Sequence, residues 1–354
     1  MSATMRAARF HGRRDVRVES VPKPVPGAGE VLVEVEYCGI CGTDVEEFRE
    51  GPLVVNMEPH ALTGTMAPLA LGHEVVGVVV AHGLGVDASR IPVGTRVIPD
   101  VVVGCGECWW CRRHQEGICE RQAVRGFNLD GGLAEFMIAT EETLVVVPTS
   151  LDAVQAVFAE PVAVAVRAVR AAGDLGDGAV VGVIGAGTIG LLIAQVARAA
   201  GAQVLCSETS AARTAVARAA GFRAAAPAGF AEILHAISDG RGADVIFECT
   251  GLGAVAVASL DLVRRGGTQV QVGISGGTAA IDIASFVLGE KRLVGTAAHL
   301  WDIDVAPAVQ LIASGVVDVS ALPSHVVPLE DAANVLADPD PSIYKQLISP
   351  KERS

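Results

Sequence analysis

No apolar run in the chain reaches the roughly 20 residues a membrane-spanning helix needs. The two that come forward, Val180 to Ile184 and Leu191 to Val196, are separated by Gly185, Gly187 and Gly190. Met1 to Arg9 lacks the apolar core of a signal peptide. There is no long basic block, and the net charge is −13, so nucleic acid and anionic membranes are excluded as partners. Internal repeats and low-complexity tracts are absent too. Charged residues make up 19% and hydrophobic residues 51%, which rules out a disordered chain and allows sizeable cores. A length of 354 residues suggests two domains. The expected setting is cytoplasmic and reducing, where the eight cysteines read as ligands or buried thiols rather than disulfides.

What the chain does contain begins with Gly39-Ile40-Cys41-Gly42-Thr43-Asp44. Cys41 is a soft anionic ligand, and Thr43 sets a proton-passing hydroxyl two residues away. The pair suits a metal that must hold an alkoxide. Alone, a cysteine among apolar residues is more often a small buried hydrophobe. Leu71-Gly72-His73-Glu74 supplies an imidazole beside an acid at the start of a strand. Ala159-Glu160-Pro161 places a carboxylate in an apolar, helically spaced run from Leu151 to Ala172. Charges in such places are paired or bound to metal; a helix N-terminus would also favour the carboxylate. Cys41, His73 and Glu160 are therefore the expected ligands of one metal ion, with Glu74 an alternate. His11, His60, His82, His114, His235, His299 and His325 lack such context and read as structural or solvated.

Cys105, Cys108, Cys111 and Cys119 form C-x2-C-x2-C-x7-C. Four thiolates at this spacing wrap one tetrahedral ion and leave no open position, so the site fixes a loop. Zinc fits the short Arg112, Arg113, His114 loop better than an iron–sulfur cluster. Trp109 and Trp110 read as packing against the site or covering it.

The first half is a small, irregular β module. Val31, Val33, Val35 and Tyr37 share one face of a strand, and Glu34 and Glu36 the other. Short strands follow at Val75 to Val80, Arg96 to Pro99, Ala134 to Ile138 and Leu144 to Val147, with a long surface loop over 51–68. The second half alternates strands and helices, which predicts a parallel, doubly wound sheet. Its opening strand runs straight into Gly185-Ala186-Gly187-Thr188-Ile189-Gly190, then a helix, then the strand Gln203 to Ser207, then Glu208. That order is the dinucleotide fingerprint. The glycines and the helix start at Thr188, Ile189 and Gly190 receive the pyrophosphate. Glu208 takes the ribose hydroxyls and repels a 2′-phosphate, favouring NAD over NADP, and Arg213 flanks the adenine. Thr250 and Gly273, at carboxyl ends of strands, are expected to line the cofactor cleft. The tail beyond about Gly295 packs back on the first module.

Together these motifs resemble the zinc-dependent medium-chain dehydrogenase/reductase family over essentially the whole chain. Cys41 to Pro52, and Pro59-His60…Leu62-Thr63-Gly64 before Gly72-His73-Glu74, are similar to the 2,3-butanediol dehydrogenase branch. Glu160-Pro161 is similar to sorbitol and threonine dehydrogenases. The resemblance implies a GroES-like catalytic domain over 1–152 and 296–354, with a structural zinc lobe at about 100–122, and a Rossmann domain over 153–295. It implies a homodimer or homotetramer. One position departs: where the family commonly has a proton-relaying histidine five residues after the zinc cysteine, this chain has Glu46. The expected cofactors are NAD and two zinc ions per chain. The expected reaction is oxidation of a secondary alcohol, foremost a vicinal diol or polyol, to the ketone, with Thr43 taking the alcohol proton and Glu46 a candidate relay. The rivals are a zinc-free quinone or enone reductase of the same architecture and a non-catalytic NAD-binding protein.

Overall fold

A computed structural model of the chain describes residues 3–274 and 276–351. The chain divides into two compact units. One holds the residues up to Glu160, with His299–Ala313 and the segment from Pro323 onward; the other holds Pro161–Ala298 and Ser314–Leu322.

The first unit is built on the strand Glu30–Gly39, at the centre of a seven-stranded sheet. It pairs antiparallel with Glu74–His82, Phe136–Thr140 and Lys345–Ser349. Val31, Val33 and Val35 are fully buried, as the period of two requires. On the other face Glu36 receives two hydrogen bonds from Arg96, at 2.6 and 3.0 Å. The register slips between Val35 and Tyr37. Such a bulge breaks the alternation, and Tyr37 is only half-buried. A smaller sheet runs Asp15–Pro22, Thr4–Gly12, Leu69–Ala70.

One element of this unit departs from an all-β reading: the helix Gly42–Glu50 follows Cys41 directly. Its apolar positions are few, Val45 and Phe48, so no helical periodicity announces it. A reciprocal cap starts it, with the Cys41 backbone N–H donating to Asp44 Oδ2 at 2.9 Å. Near its end the fully buried Glu47 accepts from the N–H of Leu53 (2.9 Å) and Val54 (2.7 Å). That carboxylate anchors the loop over 51–68, whose Val55 enters the core.

The expected single helix over 151–172 is two helices, Ala153–Ala156 and Ala159–Ala172. Pro161 has no N–H to donate back one turn, so a continuous helix would lose a bond there. Restarting at Ala159 puts Pro161 and Glu160 in a first turn, where donors are unpaired anyway.

The second unit carries a six-stranded, all-parallel sheet in the order Arg223–Ala225, Gln203–Ser207, Val180–Ile184, Ala243–Glu248, Val263–Gln271, Arg292–Gly295. Every residue of Val180–Ile184 is buried, as both faces of a parallel sheet demand. The strand order reverses beside Val180–Ile184, which creates a crevice at the carboxyl ends. The helix Gly253–Asp261 is followed almost at once by the strand Val263–Gln271. Among the described residues no helix is long and apolar enough to cross a membrane.

Candidate active site

Three potential metal ligands converge in the first unit. One ligand atom each from Cys41, His73 and Glu74 lies within 4.8 Å of the other two. Cys41 stands at the N-terminus of helix Gly42–Glu50, and Glu74 opens the strand Glu74–His82 with His73 just before it. The ladder sets Gly39 opposite Glu74, so the sheet brings the two segments together across 34 intervening residues. Thr43 Oγ1 is 3.8 Å from Cys41 Sγ. A thiolate, an imidazole and a carboxylate, with no fourth protein donor in the group, suit a divalent ion that keeps an open position.

Asp44 organises this group. It is fully buried. One carboxylate oxygen accepts from the Cys41 N–H, and the other stands 3.4 Å from His73 Nδ1 without hydrogen-bond geometry. Both that oxygen and His73 Nδ1 are otherwise unpartnered buried atoms. The acid stands on the Nδ1 side of the ring, the placement from which a carboxylate can orient a ligating histidine. Burial opposes a charge on His73, but Asp44 and then Cys41 beside it hold its pKa well above the ordinary value. Phe127 packs on the imidazole at 5.0 Å between ring centroids.

Glu74 has a counter-charge. Lys345 Nζ donates to both of its carboxylate oxygens at 2.6 Å, and both side chains are buried. Burial raises the Glu74 pKa, and Lys345 works against that rise.

Glu160 lies outside the three-residue group. Its Oε1 is 3.3 Å from His299 Nδ1, and its charge also acts on His73 and Glu74, near which the sequence expectation set it. His299 Nε2 is in turn 3.1 Å from Asp100 Oδ1. All three are buried. Burial resists a charge on His299, but the two acids beside it hold its pKa up at about 10. Of the two expectations for His299, structural or solvated, the structure leaves the first: it is buried between Asp100 and Glu160. Glu46 is exposed on the helix Gly42–Glu50, while its neighbour Glu47 is buried.

The four lobe cysteines also converge, with all four sulfurs within 4.8 Å of one another. Backbone N–H groups point at them: Cys108 N to Cys105 Sγ (3.3 Å), Cys111 N to Cys108 Sγ (3.4 Å), Arg121 N to Cys119 Sγ (3.3 Å). Backbone donors bring the Cys105 pKa down to about 6, and burial pushes Cys111 up to about 12. Four such sulfurs form a closed tetrahedral donor set. Trp109 and Trp110 meet edge to face, and the Arg113 guanidinium stacks 3.7 Å over Trp109, which is half exposed.

In the second unit a cavity of about 720 Å³ opens at the carboxyl ends of the strands, lined by Gly185, Gly187, Glu208, Arg213 and Thr250 among others. Gly185 has φ +94°, and a Cβ on Gly190 would strike the Gly185 carbonyl oxygen, so the turn into the helix Thr188–Ala199 tolerates only glycine at both places. Glu208 Oε2 accepts from the Ala186 N–H at 2.9 Å, and Oε1 from the Ser210 N–H at 2.9 Å. The acid ending one strand is thereby tied to the glycine turn ending its neighbour. Arg213 reaches within 3.7 Å of where a Gly187 Cβ would sit. Thr188, Ile189 and Gly190 form the helix's first turn. Gly273 borders a neighbouring cavity of about 280 Å³. Cys206 is fully buried, and burial pushes its thiol up to about 12.

Asp44, Asp100, His299 and Lys345 went unrecognised in the sequence reading. Only Asp44 carried a signal there, since its offset of three from Cys41 is a capping spacing.

Residues 27–149 match the model of the alcohol dehydrogenase GroES-like domain, and residues 188–314 match that of the zinc-binding dehydrogenase domain. The chain is 33% identical to (R,R)-butanediol dehydrogenase of Neisseria gonorrhoeae, covering 92% of this chain and 93% of that protein. The crystal structure of 2R,3R-butanediol dehydrogenase from Bacillus subtilis superposes with a TM-score of 0.89 at 31% identity, covering 98% of this chain and all of that one. A zinc-binding dehydrogenase from Sinorhizobium meliloti 1021, solved bound to NADP, superposes with a TM-score of 0.88 at 30% identity, covering 99% and 100%. With a GroES-like module and a doubly wound parallel sheet in one chain, this protein is an oxidoreductase that belongs to the zinc-binding, medium-chain alcohol dehydrogenase family.

Proposed function

We propose that the protein oxidises a secondary alcohol, foremost a vicinal diol or polyol, to the ketone with NAD, using one catalytic and one structural zinc per chain. The convergence of Cys41, His73 and Glu74, with Asp44 behind the imidazole, carries this reading. Cys41 and His73 would hold the catalytic ion together with a carboxylate. Glu74 is the acid in their group, and Glu160 is the acid the sequence suggested. When bound, zinc acts as a Lewis acid that acidifies an alcohol to a pKa of about 7, and NAD accepts the hydride.

The remaining work falls to the chain. Lys345 offsets the charge of Glu74, so two acids near one thiolate do not oppose a substrate oxyanion. Thr43, beside Cys41, is the hydroxyl that takes the substrate proton. Glu46 is exposed and has a free path to solvent, which suits the last step of a relay. Asp44 fixes the tautomer and rotation of His73. In the second unit, the glycine turn and the helix N-terminus at Thr188 receive the pyrophosphate. Glu208 presents a carboxylate to the adenosine ribose, which favours NAD, and Arg213 flanks the adenine. Thr250 and Gly273 line the cofactor's approach.

Among the described residues the second unit's sheet ends at the strand Arg292–Gly295, and Ile283, Val287, Leu288 and Leu293 are exposed. That edge and those apolar side chains support a homodimer or a homotetramer. The eight free cysteines suit a reducing cytoplasm.

The test is an NAD-linked activity screen across vicinal diols, polyols and simple secondary alcohols, with metal analysis of the same sample. Turnover with two zincs per chain is expected, lost in Cys41→Ser with NAD binding intact. Full turnover in that variant would refute the zinc mechanism. Turnover on enones or quinones with no zinc would favour the reductase alternative, and cofactor binding without turnover the non-catalytic one.

A further inference from the structure

A second cavity, about 420 Å³, lies in the first unit and shares no residue with the Cys41, His73 and Glu74 group. Its walls include the strand residues Met5, Ala7 and Arg9 and the segment Phe136 to Ile138, and Arg125 borders it. Arg125 is 6% exposed. Its backbone N–H donates to the Val101 carbonyl. Among the described residues its guanidinium has no hydrogen-bond acceptor and no ion-pair partner, and Nε is a fully buried unsatisfied donor. A buried guanidinium donor without an acceptor is costly, and Nε is such a donor.

The acids nearby are committed elsewhere. Glu30 accepts from the Gly27 N–H at 2.8 Å, Asp130 from the Ala70 N–H at 2.8 Å, and Asp100 from His299 and the Val102 N–H. Arg9, the other cation on the wall, is bonded to Glu19 and the Pro68 carbonyl. Burial lowers the Arg125 pKa, with Glu30 and Asp100 acting against it from beyond bonding distance. An arginine stays charged in proteins, and no carboxylate among the described residues is bonded to this one, so an oxyanion in the cavity would give its guanidinium a hydrogen-bonded partner.

We propose that the cavity is a binding site for a small oxyanion, a phosphate or a carboxylate group, held by the guanidinium fork of Arg125. The planar fork matches two oxygens of either group. The cavity is wide enough for the group and part of the molecule that bears it, with Met5, Val21 and Phe136 offering apolar wall to the remainder.

The experiment is thermal melting of the protein saturated with NAD, so that the pyrophosphate cradle is already filled. Inorganic phosphate and acetate are titrated separately, with chloride at matched ionic strength as reference. A saturable rise of roughly 2 °C or more with one of the two anions is expected, and which anion gives it identifies the group. The rise should vanish in Arg125→Gln and in Thr65→Trp, which fills the cavity from another lining residue. Absence of a saturable rise in the unsubstituted protein overturns the site. An undiminished rise in either variant also overturns it, so Thr65→Trp decides the matter should Arg125→Gln fail to fold.

Discussion

Lys345 brings its ammonium within 2.6 Å of each carboxylate oxygen of Glu74, with both side chains almost wholly out of water. Removing one partner of a buried pair strands the other charge, at about 3–5 kcal/mol. Lys345→Met should therefore lower the melting temperature strongly, and Lys345→Met with Glu74→Gln should recover part of the loss. A double variant no more stable than the single would show that the two charges do not compensate each other. Calorimetry of the three proteins is the check.

Asp44 binds the Cys41 N–H and faces His73 Nδ1, so it acts on the site through other residues rather than on substrate. Asp44→Asn keeps the size and one acceptor but loses the charge. Zinc affinity or kcat/KM should fall by about 10–100-fold, with NAD affinity unchanged. Equilibrium dialysis against a competing chelator reads the first quantity and cofactor fluorescence the last.

The Cys105, Cys108, Cys111 and Cys119 set has no open position, so its loss should cost stability before chemistry. Cys111→Ser should carry one zinc instead of two, melt earlier, and be cut by protease within the lobe. Metal content by mass spectrometry and limited proteolysis test this. Two full equivalents of zinc in Cys111→Ser would contradict it.

Glu208 is the group assigned to cofactor choice. Glu208→Ser removes the charge that opposes a 2′-phosphate while leaving Arg213 in place. The ratio of kcat/KM for NAD over NADP should drop by at least 10-fold, the effect of about 1.4 kcal/mol. An unaltered ratio would move the discrimination to another residue.

Asp244 ties two parallel strands, accepting from the Val180 N–H at 2.8 Å and from Arg264 Nε at 2.5 Å. Burial would raise its pKa, but Arg264 and the Val180 N–H together bring it below the ordinary value of 3.8. A depressed carboxylate pKa contributes stability above the unfolded value and loses it as pH falls through the folded one. Asp244→Asn should be less stable at neutral pH, and the gap should close below pH 3.8. Urea melts across that range measure the gap.

Much of this architecture could be read from residue order alone. The glycine turn at Gly185 to Gly190 stood out because only glycine fits its close contacts, and four cysteines in a short loop have few alternatives to a shared ion. Cys41 and His73 were legible as chemical oddities beside glycine. Lys345 was not, because a lone lysine late in the chain looks solvated until a strand pairing carries it to Glu74. His299 and Asp100 lie 199 positions apart, and nothing local marks either as half of a pair. The helix Gly42–Glu50 was hidden for a different reason: a cap and one buried carboxylate hold it, rather than an apolar stripe.

The strand Lys345–Ser349 docks against Glu30–Gly39, and with it comes the cation that balances Glu74. Synthesis proceeds from the N-terminus, so a nascent chain holds Cys41, His73 and Glu74 long before it holds that cation. Until residue 345 has left the ribosome, the half-built centre carries an uncompensated acid and its sheet lacks an inner strand. Completion of this cluster is thus a late event in the birth of the molecule, and a chain cut short before Lys345 would have Cys41, His73 and Glu74 without the charge that balances the acid.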